Sequence, residues 1–263
     1  MFRKILFFSL ALLLIGGVMK VTAGSKPALA SPVTIDKEVE QQVLDSTLRI
    51  TMYAPLTDAQ GNPQYVLENG QQVMQLTVNE GLGTLTRQGG DPFIVTHDHW
   101  LLLTPGLRRV QFHNVAKELL LDLSGEQFLQ LIRYRDGGTM VLAAPQELAA
   151  GRASISLGDS RSAGKNDTFY LAHRSEGGEI NVAAMVVQRE ETYKGQPVFR
   201  LTSLKGEVVL EGNSGGGVLA GGLLVGNMWG TVLVEDVSGP DAHSPQQTTF
   251  SLAAQLPPEI SVN

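Results

Sequence analysis

From residue 47 to residue 234 hydrophobic runs of four to eleven residues alternate with turn residues, and no long apolar pattern of helical period separates them. A parallel sheet needs helical crossovers, so a βαβ architecture is disfavoured. The strand-like runs of the first half are Thr47–Tyr53, Gln72–Val78, Gly83–Arg87, Pro92–Thr96, Arg109–His113, Leu119–Leu123, Gln127–Tyr134 and Thr139–Ala144. Those of the second are Ser154–Leu157, Thr168–Ala172, Ile180–Glu190, Val198–Thr202, Gly217–Val225 and Thr231–Val234. Ser124-Gly125-Glu126 reads as a hairpin turn, Thr57–Pro63 as a surface loop, Lys37–Gln42 as a short helix or arm, and Phe250–Leu256 as a short terminal helix. An Ala-rich polar connector, Pro145–Arg152, divides the chain into residues 40–147 and 148–263. The fold class is all-β. About six strands per half fit two closed antiparallel barrels, which leave no sheet edge exposed.

The N terminus reads as an export signal. Arg3-Lys4 precedes the apolar run Ile5–Met19, which is short for a membrane span. Small residues place cleavage after Ala23 or after Ala30, and an uncut segment would be an N-terminal anchor. Residues 1–23 are therefore expected to be a signal peptide of a secreted or periplasmic protein with no membrane span after cleavage. Cutting after Ala23 removes three basic residues and no acidic one, taking the net charge from −6 to −9. That balance argues against nucleic acid, whose binding demands a basic face. With no cysteine there is no disulfide framework, and five scattered histidines leave little for a structural metal. The chain is expected to be a monomer with no cofactor.

One serine stands inside the glycine run Leu210-Glu211-Gly212-Asn213-Ser214-Gly215-Gly216-Gly217-Val218. A serine hydroxyl is a weak nucleophile that needs an adjacent base and donors for the oxyanion it creates. Glycines let the backbone bend so that the N–H groups of Gly212 and Ser214 can point into one cavity. A Gly-rich turn with an incidental serine is the plain alternative. A second segment, Phe93-Ile94-Val95-Thr96-His97-Asp98-His99-Trp100, reads as a strand ending in histidines and follows Gly81-Leu82-Gly83-Thr84-Leu85.

Together with Gly217-Val218-Leu219, Gly222–Gly226 and Met228-Trp229-Gly230, these segments resemble the trypsin/chymotrypsin superfamily of serine proteases, in its cysteine-free bacterial form that includes periplasmic heat-shock proteases. The likeness covers roughly residues 80–235. Gly217 and Met228 depart from the family's Pro and Ser. The resemblance implies two six-stranded chymotrypsin-like barrels with the active site between them, and a protein or peptide substrate. It makes Ser214 the nucleophile, His99 the general base through its Thr-x-x-His spacing, and the N–H groups of Gly212 and Ser214 the oxyanion hole. Trp229-Gly230 would pair with the substrate chain, Glu211 would lie at the pocket mouth, and Val208 near an uncharged pocket floor. The triad acid is expected at Asp136, with Asp122 in reserve, although aligning Val141-Leu142 with the family's hydrophobic pair puts Gly138 at that position. Arg135-Asp136-Gly137-Gly138 also reads as a hairpin tip. Asn213 lacks the carboxylate that zymogen-activated relatives use, so no activating cleavage is expected.

Competing readings remain. His97 is a polar neighbour of the cleft or half of a His-x-His metal pair, for which no third ligand is evident; His113, His173 and His243 read as ordinary histidines. Gly212–Gly216 also satisfies the Gly-x-Ser-x-Gly elbow of α/β-hydrolases, but 49 residues holding only His243 follow Ser214, and Gly-Gly-Gly-Val is a poor helix start. From another class comes a catalytically inactive, protease-shaped binding protein, favoured by the uncertain acid and by bulky His97-Asp98.

Overall fold

The computed structural model describes residues 35–205, 213–236 and 246–261. The expected signal segment, Val208, Glu211, Gly212 and His243 lie outside the described residues.

In chain order the first half comprises α1 (Lys37–Ser46), β1 (Thr47–Pro55), β2 (Tyr65–Glu68), β3 (Gln71–Met74), β4 (Leu76–Gln88), β5 (Asp91–Thr96), α2 (Trp100–Leu103), β6 (Arg109–His113), β7 (Leu119–Ser124), α3 (Gly125–Gln130), β8 (Ile132–Asp136), β9 (Thr139–Ala143) and α4 (Gln146–Ala149). The second half comprises β10 (Ile155–Ser156), β11 (Thr168–Arg174), β12 (Ile180–Tyr193), β13 (Gln196–Ser203), β14 (Gly217–Ala220), β15 (Leu223–Asp236), β16 (Gln246–Gln255) and α5 (Pro258–Ser261).

Among the described residues only the second half closes as a barrel by strand pairing, in the order β11-β12-β13-β16-β15-β14, with β14 returning to β11 through Tyr170↔Leu219. Of the segment 250–256 expected as a helix, residues 250–255 belong to β16, which completes that ring; the short terminal helix is instead α5. Packing decides this. Leu252, Ala253 and Ala254 are all buried, and pairing with β13 on one side and β15 on the other satisfies the buried backbone that carries them.

The first half corrects the expectation of two closed barrels. Its sheet runs β7-β6-β1-β4-β5-β9-β8, and β10 adds parallel to β4 at Thr86, just beyond the point where β1 leaves it. The edge strands β7 and β8 are joined by helix α3 rather than to each other. Ser124 caps α3 by accepting from the Gln127 N–H, and Gln127 reaches back to the Ser124 N–H. This reciprocal box stabilises a helix start where a hairpin and the strand Gln127–Tyr134 were expected. Phe128 on α3 then seats in the core formed by Leu48, Ile50 and Met52 of β1 with Phe112, Met140 and Leu142.

Two-residue turns with both residues at positive φ close the hairpins at Asn69-Gly70, Gly89-Gly90, Gly137-Gly138, Lys194-Gly195 and Gly221-Gly222. This handedness matches the strand twist. A further apolar cluster fuses the halves: Val43 of α1, Leu82 of β4, Val95 of β5 and Val141 of β9 meet Ala172, Val182, Leu219 and Leu224. Complete burial of one such side chain contributes about 1.5–3 kcal/mol. The seam sets the start of β14 against β4, where the Gly217 N–H donates to the Thr84 hydroxyl at 2.7 Å. Among the described residues no helix is long and apolar enough to cross a membrane.

Candidate active site

β5 ends at Thr96, whose buried hydroxyl donates to the Leu82 carbonyl at 2.6 Å. The chain then turns through His97 and Asp98 into α2, with His99 at its N-cap position. The His99 N–H donates to His97 Nδ1 at 3.1 Å, and the two imidazoles touch with centroids 4.2 Å apart. Because Nδ1 accepts, the proton of the neutral His97 ring sits on Nε2. His97 is 1% exposed, and its Nε2 is buried with no hydrogen-bond partner among the described residues.

That atom points at the β8–β9 turn. A methyl group placed on Gly138 would lie 3.1 Å from His97 Nε2, and Gly138 has φ +79°. A side chain there is therefore disfavoured both by backbone strain and by the ring in front of it. The aligned position of the family's acid thus holds a turn glycine, and His97 fills the space ahead of it. Asp136 sits at the exposed end of the same hairpin, with Oδ1 accepting from the Gly137 N–H at 2.7 Å. The reserve candidate Asp122 is bound by Arg109 and Gln111 on an exposed edge. Among the described residues no carboxylate oxygen lies within 4 Å of a His99 nitrogen; the nearest approach to the pair is Asp98 Oδ1, 3.4 Å from His97 Nδ1. That approach is not an ion pair, since both atoms are acceptors, and Asp98 also lies 3.7 Å from Arg135.

Burial, and secondarily His99, pushes His97 down to about 2. His99 is lowered to about 4 by burial and then by the charge of Lys194. Both rings are neutral at pH 7. Burial raises the Asp98 carboxyl, with Arg135 opposing.

Ser214 occupies a tight turn wedged between the halves. Its carbonyl accepts from the Leu82 N–H at 3.0 Å, the Gly215 N–H donates to the Met228 carbonyl at 2.7 Å, and the Gly216 N–H donates to the Asn213 carbonyl at 3.1 Å. Gly215, at φ +89°, lies so close to the β5–α2 turn that an added methyl would meet the His97 backbone nitrogen at 3.0 Å. The serine and histidine segments expected to meet are therefore in contact. The Ser214 hydroxyl donates its one proton to the Trp229 carbonyl at 2.8 Å.

Residues not expected from the sequence complete the rim. Tyr193, at the tip of the β12–β13 hairpin, packs edge-on against Trp229 at 5.1 Å, and Trp229 in turn lies 5.1 Å from the His97 ring. Lys194 follows at the turn. The only hint in the sequence is the dipeptide Lys194-Gly195 between two strand-like runs. Asn227 is fully buried and donates to the Thr139 hydroxyl at 2.8 Å, tying β15 to β9 beside Gly138. Gly230 follows Trp229 on β15. Among the described residues no three histidine, aspartate or glutamate side chains converge as metal ligands.

No family model matches this chain, and no curated protein matches it. Solved structures do. The chain is similar to the HtrA-type protease AlgW with a decapeptide, in a variant form, at TM-score 0.57 and 10% identity, over 86% of this chain and 64% of that one. It is similar to AlgW with a tripeptide at TM-score 0.53 and 11% identity, over 86% and 60% respectively. A further AlgW structure with a decapeptide matches at TM-score 0.51 and 12% identity, over 84% and 63%. The chain thus spans less than two thirds of the proteins it matches. At such low identity the likeness establishes architecture alone: this cysteine-free chain has the fold of the HtrA-type, trypsin-like serine proteases.

Proposed function

We propose that the protein is a secreted serine endopeptidase in which Ser214 attacks the peptide carbonyl and His99 takes the hydroxyl proton. The contact between the Ser214 turn and the β5–α2 turn that carries His99 is the observation that supports this reading. His99 hands that proton to the leaving amine as the peptide C–N bond breaks and the acyl-enzyme forms on Ser214. Water, giving a proton to His99, then attacks the ester; the acid product leaves, and His99 returns the proton to the Ser214 oxygen. The N–H groups of Gly212 and Ser214 are assigned to the oxyanion, and Glu211, Trp229 and Gly230 to the substrate chain. Neighbours of this fold are solved with a decapeptide and a tripeptide, in keeping with a peptide substrate. A peptide N–H arriving at the Trp229 carbonyl competes for the acceptor that now holds the Ser214 hydroxyl. A neutral hydrogen bond of this kind is worth about 1 kcal/mol, so its exchange is a small barrier.

In this reading His99 works without a carboxylate partner, since Asp136 contacts neither imidazole. The absent acid costs up to about 10⁴ in turnover in enzymes that normally have one, so slow hydrolysis is expected. Residues 40–147 and 148–263 are taken as the two halves of a monomer, released by cleavage after Ala23 or Ala30. A second reading, the catalytically silent binding protein, is favoured by Gly138 at the acid position and by the engaged Ser214 hydroxyl.

Labelling with a fluorophosphonate separates them. The folded protein should label slowly but stoichiometrically, and Ser214→Ala and His99→Ala should not label. A folded wild-type protein that stays unlabelled after prolonged exposure leaves the binding reading. The rate of labelling should also report the base. It requires neutral His99 and should fall as pH drops through about 4. Removing the positive charge in Lys194→Met favours protonated His99, raises its pKa and moves that fall upward by about half a pH unit, the effect of an exposed charge. A profile unmoved, or moved downward, would exclude Lys194 as a tuning charge.

A further inference from the structure

Beside the Ser214 turn lies an open hollow floored by Ile50, Gly81 and Leu82. Its charged lining is unbalanced. Arg49 of β1 is only 9% exposed; its Nε donates to the Val115 carbonyl at 3.2 Å and its Nη2 to the Gly178 carbonyl at 2.6 Å. Among the described residues no carboxylate lies within 4 Å of its guanidinium. A buried cation with no carboxylate in direct contact is costly, and neutral carbonyls compensate only part of the lost hydration. Burial, then the nearby Arg174, lowers its pKa, with Glu80 opposing.

Two more cations gather at the same glycine. A methyl placed on Gly178 would lie 3.7 Å from both Arg174 Nε and Lys117 Nζ. Lys117 is presented from a residue at φ +70°, in the tight turn Asn114–Glu118. Against Arg49, Arg174 and Lys117 the hollow sets one carboxylate, Glu80, which Arg174 already engages. Three cationic heads around one glycine repel each other, and a bound anion would relieve the repulsion. His113, on the same wall, is lowered chiefly by burial and then by Arg49, so it offers a neutral ring.

The hollow's position connects it to the proposed chemistry. Leu82, in its floor, donates to the Ser214 carbonyl, while Trp229 and Gly230, assigned to the substrate chain, take no part in lining it, so the hollow would hold a different part of the peptide. Resting on the peptidase reading, we propose that this hollow is a carboxylate-binding subsite for the substrate peptide. It would take an acidic side chain or the C-terminal carboxylate of the substrate. Arg49 supplies the fixed donor, and Lys117 and Arg174 close over the anion from Gly178.

The test is binding to the Ser214→Ala protein, so that it does not depend on turnover. Fluorescein-labelled decapeptides would differ only by Glu or Gln at one position at a time, and by a free or amidated C terminus. Fluorescence anisotropy should show at least ten-fold tighter binding for one Glu position or for the free carboxylate; which of the two responds identifies the source. The preference should shrink in high salt and disappear in Lys117→Gln, whose exposed side chain can be lost without refolding the site, and in Arg49→Gln if that variant remains folded. Equal affinity for all peptides, or a preference unchanged in Lys117→Gln, overturns the subsite. Fluorophosphonate labelling of the wild-type protein, with Ser214 intact, tests the peptidase reading separately. Its failure would strike that reading while leaving the carboxylate preference a separate result.

Discussion

Gly215→Ala is expected to remove about 4 kcal/mol or more of folding stability, whereas Gly221→Ala should cost about 1 kcal/mol. Both glycines have positive φ, so backbone strain is common to them. They differ in what a methyl group would strike. At Gly215 it would lie 2.2 Å from the Leu82 carbonyl oxygen and 2.2 Å from the Thr96 hydroxyl, themselves hydrogen-bonded to each other. These atoms belong to β4 and to the end of β5, and neither is the free end of a flexible side chain. At Gly221 nothing lies within 4 Å. Relief at Gly215 must therefore come from moving the Ser214 turn away from β4. That breaks the Leu82–Ser214 hydrogen bond and separates the serine from the histidines. Urea denaturation of the two variants beside wild type gives the measurement, with fluorophosphonate labelling as the second readout. Similar midpoints for both variants would mean that the turn is not wedged between the halves.

The same close approach explains what the sequence could and could not convey. Gly-Asn-Ser-Gly-Gly and Thr-x-x-His carried the site because tight contact between two backbones restricts residue type to glycine and small polar groups, which leaves a local mark. Strands whose pattern is set by burial, such as Arg109–His113, were legible at their true limits. The Gly137-Gly138 tip was legible as a turn, and a turn there is incompatible with an acid at 138. Elements decided by distant partners were not. Residues 250–256 look helical in isolation and become a strand because β13 and β15 leave two open edges for them. Ser124-Gly125-Glu126 looked like a hairpin, although the box with Gln127 was present one residue further on. His97 gave no local sign that its ring would occupy the space before Gly138, since that depends on the β8–β9 hairpin reaching across to it.

Acidification should expose His97 in a second way, as a loss of folding stability between about pH 6.5 and pH 4. The unfolded imidazole titrates near 6.5, while the folded His97 is held down to about 2 and His99 to about 4. Over that interval the unfolded chain binds protons that the folded chain refuses. Stability contributed by these groups is therefore complete above the unfolded value and falls as pH is lowered. One fully refused proton changes stability by about 1.4 kcal/mol per pH unit. Two histidines acting from pH 6.5 to 4 set an upper bound of roughly 7 kcal/mol, comparable with the whole stability of a typical domain. Asp98, raised by burial, works in the opposite sense and trims the loss. Asp122, held down to about 2 by its hydrogen bonds to Arg109, enters only below about pH 4. Urea denaturation at half-unit pH steps should show the slope in wild type. His97→Gln keeps an acceptor for the His99 N–H and removes the titrating ring, so it should flatten about half of it. A wild-type stability constant from pH 7 to 4.5, or a slope that survives His97→Gln unchanged, would mean that His97 is not a buried neutral ring. The two histidines then diverge in consequence: His99, the less buried, carries the proposed proton transfer at mildly acid pH, and His97, which fills the space before Gly138, sets the pH at which the site can still be held together.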